Sequence, residues 1–356
     1  MSAKPITRTA MILGTLMAVV AGHVLPVQAR INGELGARVR DPLLAALLAA
    51  AVSLSMMLLM TLGTRRGRSA LRQVLRDTRS GAIAWWNHLA GILGAAFVVV
   101  MSAASPIVGV AVYTVVVVFG QTLSGLMVDR FGLGPGGRRR ITPARALGVL
   151  LAVAGVLVAV APRLSGVKDP GSLIIPMAFI FLAGIIMSLQ HGFNGKVAAH
   201  VSSPFPGTML NYVIGGSLML LIWLGKLAFG GNLAELPTEP WLYLAGALGA
   251  GNLIVSAMLA RRIGILLTGL GMIAGQLIGS LLLDVLLPSA GSHIYVQTII
   301  GIGIVLGAIF LATVGPRAPR PMPARDVADE KVPVAGEGKN AGRESVMPGV
   351  GPAPAD

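Results

Sequence analysis

The sequence predicts an all-α integral membrane protein, with ten transmembrane helices in two five-helix repeats inverted relative to each other and a disordered cytoplasmic C-terminal tail. Three observations carry this reading. Hydrophobic residues make up 54% of the chain and charged residues 12%, about half the charged share of an ordinary soluble domain. The charges gather in short clusters that separate ten apolar runs of roughly 20 residues, the length that spans a bilayer's hydrocarbon core. The chain also matches itself, half against half.

The runs fall at 10–30, 43–63, 84–104, 107–128, 145–162, 172–193, 207–229, 240–260, 263–286 and 296–314. Beyond them the chain is rich in Pro, Gly and charge and has no periodic apolar face. Such a segment buries too little surface to offset its ordering entropy, so residues 317–356 are expected to form the tail. The segment 65–79, with six arginines, reads as a loop. Trp86 and Trp241 open the third and eighth runs and read as anchors in the aromatic belt.

Lys and Arg set the expected orientation, because cytoplasmic loops collect them. With the N-terminus inside, 22 of the 28 lysines and arginines fall on the inner side and 6 on the outer. Both termini are therefore expected in the cytoplasm. This also accounts for the net charge of +14 without nucleic acid as a partner. One alternative concerns the N-terminus. Lys4, Arg8, the apolar stretch after them and "VQA" before Arg30 also fit a cleavable signal peptide.

The internal repeat argues against cleavage, since the first run has a counterpart. At an offset of 162, Gly22, Gln28, Asn32, Gly33 and Pro42 meet Gly184, Gln190, Asn194, Gly195 and Pro204. At an offset of 155, "WNHLAGILGA" (86–95) meets "WLYLAGALGA" (241–250), seven of ten identical, and Gly109, Gly120, Gln121 and Asp129 meet Gly264, Gly275, Gln276 and Asp284. The units are 1–165 and 166–316. Five helices is an odd number, so the second copy enters the bilayer from the other side. That plan recurs in secondary transporters, with the substrate site near the midplane between repeats.

The G-x5-Q-x3-N pattern of the first run, "GQ…D" in the fourth and "WxxLAGxLGA" in the third resemble the YdcZ-like branch of the drug/metabolite transporter superfamily. The resemblance covers about residues 9–316. It implies a bacterial inner-membrane transporter of small organic solutes, most simply an exporter of metabolites or drugs, with 5+5 inverted repeats. It implies no substrate. The sequence departs from the related small multidrug transporters, which use a membrane-embedded Glu in helix 1: no Asp or Glu lies between residues 1 and 33.

Polar side chains in lipid are costly and usually face a bundle interior or cavity. Gln121 and Gln276 lie near the midplane of the fourth and ninth runs and are expected to bind substrate by hydrogen bonds. Each follows a Gly in a small-xxx-small pattern that lets helices approach closely. His23, unmatched in the second copy, could join them and carry a coupling proton. Gln28 and Asn32, spaced i, i+4 on one helix face, lie near the outer end of helix 1. Gln190 and Asn194 lie near the inner end of helix 6, so these four read as gates on opposite faces. A plainer role for Asn32 and Asn194 is capping of a helix end at Asn-Gly. Asp129 and Asp284 sit at helix ends on opposite faces, as carboxylates for a gate or coupling, or simply solvated.

There are no cysteines, which removes thiol catalysis and thiolate metal sites. No HExxH, P-loop or nucleophile elbow occurs. The reading is thus no enzyme, no metal and no cofactor. The expected partners are the lipid bilayer and a small solute, with room for a homodimer. The competing class is a non-transporting membrane scaffold or assembly factor, which should pack Gln121 and Gln276 tightly with no cavity between them.

Overall fold

A computed structural model describes residues 8–134, 143–165, 171–231, 234–263, 265–288 and 295–314. All regular structure among them is helical. The expected tail lies outside the described residues.

The first apolar run forms two helices, α1 (Arg8–Gly22) and α2 (Val24–Arg38), interrupted at His23. Pro26 is the cause: it has no N–H, and its ring crowds the carbonyl four residues back, at Gly22. The chain does not turn at Asn32-Gly33. α2 runs on to Arg38, because both residues are buried against neighbouring helices. Helix α3 (Pro42–Leu62) starts at a firm cap, with the Asp41 side chain accepting from the N–H groups of Leu43 (3.1 Å) and Leu44 (3.2 Å).

The arginine-rich segment is not a loop. It is helix α4 (Arg65–Arg79), capped by Thr64, whose hydroxyl accepts from the Gly67 N–H at 3.0 Å. Its arginines are exposed, while Val74 is fully buried with Ile83, Val197 and Val201. A helix with a basic face and a narrow apolar stripe suits a membrane surface.

A 3₁₀ turn, Trp85–Leu89, leads into α5 (Ala90–Val108). Gly109 follows with φ +80°, a conformation that side chains resist, and turns the chain into α6 (Val110–Phe131). Then come α7 (Pro143–Ser165), α8 (Gly171–Val201), α9 (Phe205–Ala228), α10 (Leu244–Ile263, after a 3₁₀ turn at Pro240–Tyr243), α11 (Ile265–Leu286) and α12 (Val296–Val314). Among the described residues, six helical segments are long and apolar enough to cross a bilayer, and 146–162, 271–286 and 296–308 are shorter apolar helices. Large apolar side chains such as Leu150, Leu157, Phe179 and Leu221 lie exposed along the helices, as suits a lipid-facing surface.

The helices pair across the two halves reciprocally. α1 packs on α11, and α8 packs on α6; α3 meets α9 and α7 meets α12. Gly22 lies against Gly275 at the first crossing, and Gly184 against Gly120 at the second. These four glycines are the matched positions of the two copies. A Cβ on any of them would strike a backbone oxygen of the facing helix, so each crossing depends on a bare backbone.

Candidate functional site

Between the halves lies a cavity of about 890 Å³, walled by α2, α3, α5 and α6 on one side and α8 to α11 on the other. That volume suits a small organic molecule. Its polar lining is built of amides and hydroxyls. Gln121 and Gln276 both reach it. Gln276 is buried with its Oε1 unpartnered, while the Gln121 Nε2 is turned to the Met187 Sδ. Gln28 and Gln190 line the cavity too, each laid against a glycine of the matched "LAGxLGA" segments: Gln28 on Gly249 and Gln190 on Gly94. The missing side chain there is the space the amide occupies.

Asn194 lines the cavity and accepts a hydrogen bond from the Asn211 Nδ2. Asn211 and Asn252, also in the wall, escape a search by self-similarity because their counterparts are Ala49 and Phe97. The signal that could have found them is simpler: an Asn inside an apolar helix. Among the described residues, no Asp, Glu, Lys or Arg lines the cavity.

The two ends differ. At the end formed by the C-termini of α2 and α5, the helices are in contact. Ser105 donates from Oγ to the Ala29 carbonyl at 2.9 Å, and Gly33 lies against Ser105 and Pro106. Asn32 is fully buried there, with neither its Nδ2 nor its Oδ1 partnered. Around this plug, the Lys226 Nζ donates to Asp41 at 2.7 Å, and Arg38 pairs with Glu34 (2.9 Å) and Glu239 and stacks over Trp241. Asp284 is buried and accepts from the N–H groups of Val110 (3.3 Å) and Ala111 (2.8 Å), a carboxylate on a helix N-terminus. The Asp129 side chain lies outside the described residues.

At the other end the cavity continues past Asn194 and Ala198 to Ser202, Ser203 and Pro204, and Ser202 is exposed. This end carries α4, which holds the tip of α8 through Asp77 and the His200 Nε2, 3.0 Å apart. The Arg76 guanidinium, and then His200, keep the Asp77 carboxyl below the usual carboxylate range.

His23 does not line the cavity. Its Nδ1 lies 2.8 Å from the Val19 carbonyl, and its ring packs beside Gly279. The histidine that does line it is His191, within the second copy's "QHGFNG" and opposite Ala29 of the first.

Apolar helices around a solute-sized, amide-lined cavity define a multi-pass membrane transport protein. The chain belongs to the family described as "Putative inner membrane exporter, YdcZ", within the drug/metabolite transporter superfamily. The family model matches it twice, over residues 13–158 and 175–311, so the chain is two copies of the family's unit. Its fold is similar to a solved structure titled only "Crystal structure of protein", at 19% identity and a TM-score of 0.53, covering 86% of this chain and 98% of that one. No curated protein matches the sequence.

Proposed function

We propose that this protein is a secondary exporter of a small organic solute across the bacterial inner membrane, and that ten helices in two inverted repeats expose one central cavity alternately to either side. The observation that carries this is the contrast between matched motifs. Asn32-Gly33 lies in a closed helix contact, while Asn194-Gly195 lines an open cavity. Two copies of one unit in two arrangements, at opposite ends of one site, is what alternating access requires. With the arginine-rich end in the cytoplasm, the arrangement is open inward.

The lining indicates how the cargo is held. With amides and no fixed charge among the described lining residues, recognition rests on hydrogen bonds and apolar contact. An organic cation would find no counter-ion among them. Gln121 and Gln276 act as central binding amides, with Gln28 and Gln190 above and below them. Asn32 and Asn194 report which end is closed. A scaffold would gain nothing from leaving about 890 Å³ unfilled at the junction of its repeats.

The native chain has no cysteine, so single cysteines report without background. Ser202→Cys sits at the open mouth, and Ser102→Cys replaces a residue that is 1% exposed beneath the closed end. In proteoliposomes, conditions that raise labelling of one should lower labelling of the other. Full labelling of the Ser202→Cys protein, with the Ser102→Cys protein silent under every condition, would refute alternation.

A further inference from the structure

We propose that His191 is a proton-binding site that decides when the cavity closes. Charged, it holds the cavity open and hydrated toward the arginine-rich end; neutral, it permits closure and exposure of the opposite end. The proposal rests on the alternating-access reading above and adds to it the group that senses the proton.

The argument begins with what surrounds the ring. His191 lies on the cavity face of α8, in the stripe Met187, His191, Asn194, Ala198, and is exposed to the cavity. Among the described residues no hydrogen bond or ion pair holds it, whereas His23 is tied to Val19, His88 to Thr78 and His200 to Asp77. Among the described lining residues, it is the one histidine, the side-chain type whose unperturbed charge change falls near neutral pH. The remaining ionisable group among them is the Tyr212 phenol.

The neighbouring elements supply no fixed partner among the described lining residues. α5 carries no charged residue. α9 carries Lys226, engaged by Asp41 at the far end. α6 carries Asp129 and Arg130 in its last turn, and α4 carries six arginines and Asp77, the latter facing His200. The 3₁₀ turn before α5 carries His88, and α8 itself carries Lys196 and His200. Of these side chains, none that is described lines the cavity.

The step is a single proton transfer. The ring's free nitrogen takes a proton from a cavity water, giving imidazolium, and returns it to water before closure. In the open arrangement that cation is solvated. Closing the helices around it would strip the water and leave an unpaired charge in an apolar interior, which is strongly unfavourable. Neutral imidazole carries no such penalty. The first copy has Ala29 at the matched position, so the control acts on one repeat and breaks the symmetry of the cycle.

The experiment needs no cargo. The Ser102→Cys protein in proteoliposomes is labelled at about pH 5 and at about pH 8.5, on either side of the ordinary imidazole range, with rates normalised to the unfolded protein at the same pH. The introduced thiol should label at least about fivefold more slowly in acid. His191→Gln should remove that difference, and His191→Asn serves if the Gln variant fails to fold. His200→Gln should retain the difference, which separates this site from the Asp77–His200 contact. A pH response that survives in the His191 variants, or that is absent from the Ser102→Cys protein, overturns the proposal. A thiol at position 102 that labels equally at both pH values defeats only the proton site; one that never labels defeats alternation itself.

Discussion

Asn32→Leu should lock the closed end. Asn and Leu branch at the same carbon, so the change replaces an amide O and N by two methyl groups without altering the branching. In the native protein Asn32 is 0% exposed and both polar atoms lack a partner. A buried polar group left in that condition costs about 1–3 kcal/mol. When the end opens, water reaches the amide and the penalty disappears. The amide therefore pushes the equilibrium toward opening, and Leu removes that push. Crowding by the larger methyl groups offsets part of the gain, which leaves about 1–2 kcal/mol, a shift of about 5- to 30-fold in the balance of the two states. The assay is thiol labelling in the Ser102→Cys background. Its rate follows the open population and should fall by that factor, while turnover slows because the outward state is rarely reached. An unchanged or faster labelling rate would show that the buried amide does not set the balance.

Other expectations follow from the same geometry. Asn194→Leu should bias the protein the opposite way, lowering labelling in the Ser202→Cys background, since it deletes the bond to Asn211 that the open arrangement holds. Gln121→Leu or Gln276→Leu should weaken any ligand found by thermal shift by about 10- to 100-fold, from loss of a hydrogen bond worth about 1–3 kcal/mol; unchanged binding would move the site elsewhere in the cavity. Gly184→Ala should lower the melting temperature, because a Cβ there strikes the Val117 carbonyl and overpacking costs about 1–3 kcal/mol. The Asp77 contribution runs with pH. A carboxyl held below its usual range stabilises above about pH 4 and loses that contribution as pH falls through its lowered value. Hydrogen exchange of α4 should thus rise in acid, and Asp77→Asn should raise it at neutral pH. Reporter fusions at residues 70 and 135 should mark the cytoplasm and one near 168 the outside; a cytoplasmic signal at 168 would refute the ten-helix inverted topology.

The apolar runs and the repeat were legible because they rest on length and on rare residues: seven identities around a matched Trp are hard to produce by chance. The crossings were legible through the matched glycines, since a bare backbone at a close approach has few substitutes. The features hidden from the sequence depend on context. Asn32-Gly33 reads as a helix end until burial against Ser105 and Pro106 makes it helix interior. The arginines of α4 suggest a loop because its apolar stripe is only Leu71, Val74 and Leu75 wide. His191 stands in the same motif as Asn194, yet nothing in a one-dimensional pattern distinguishes a histidine aimed into a cavity from one bonded to its own helix, as His23 is.

The break at His23 has a mechanical consequence. α1 is fixed to α11 through the glycine crossing, while α2, beyond the break, belongs to the closed end. Under the proposed alternating access, this break is where the far segment would swing while the near one stays seated. The matching helix of the other repeat, α8, is unbroken over 31 residues even though it contains Pro176 near its start, so under alternating access it would tilt as one rod and carry α4 at its tip. On the proposed cycle, one half would be a bend about a local pivot and the other a rigid lever stroke. Their barriers should respond unequally to viscosity and bilayer thickness, even though the two halves of the chain descend from one pattern.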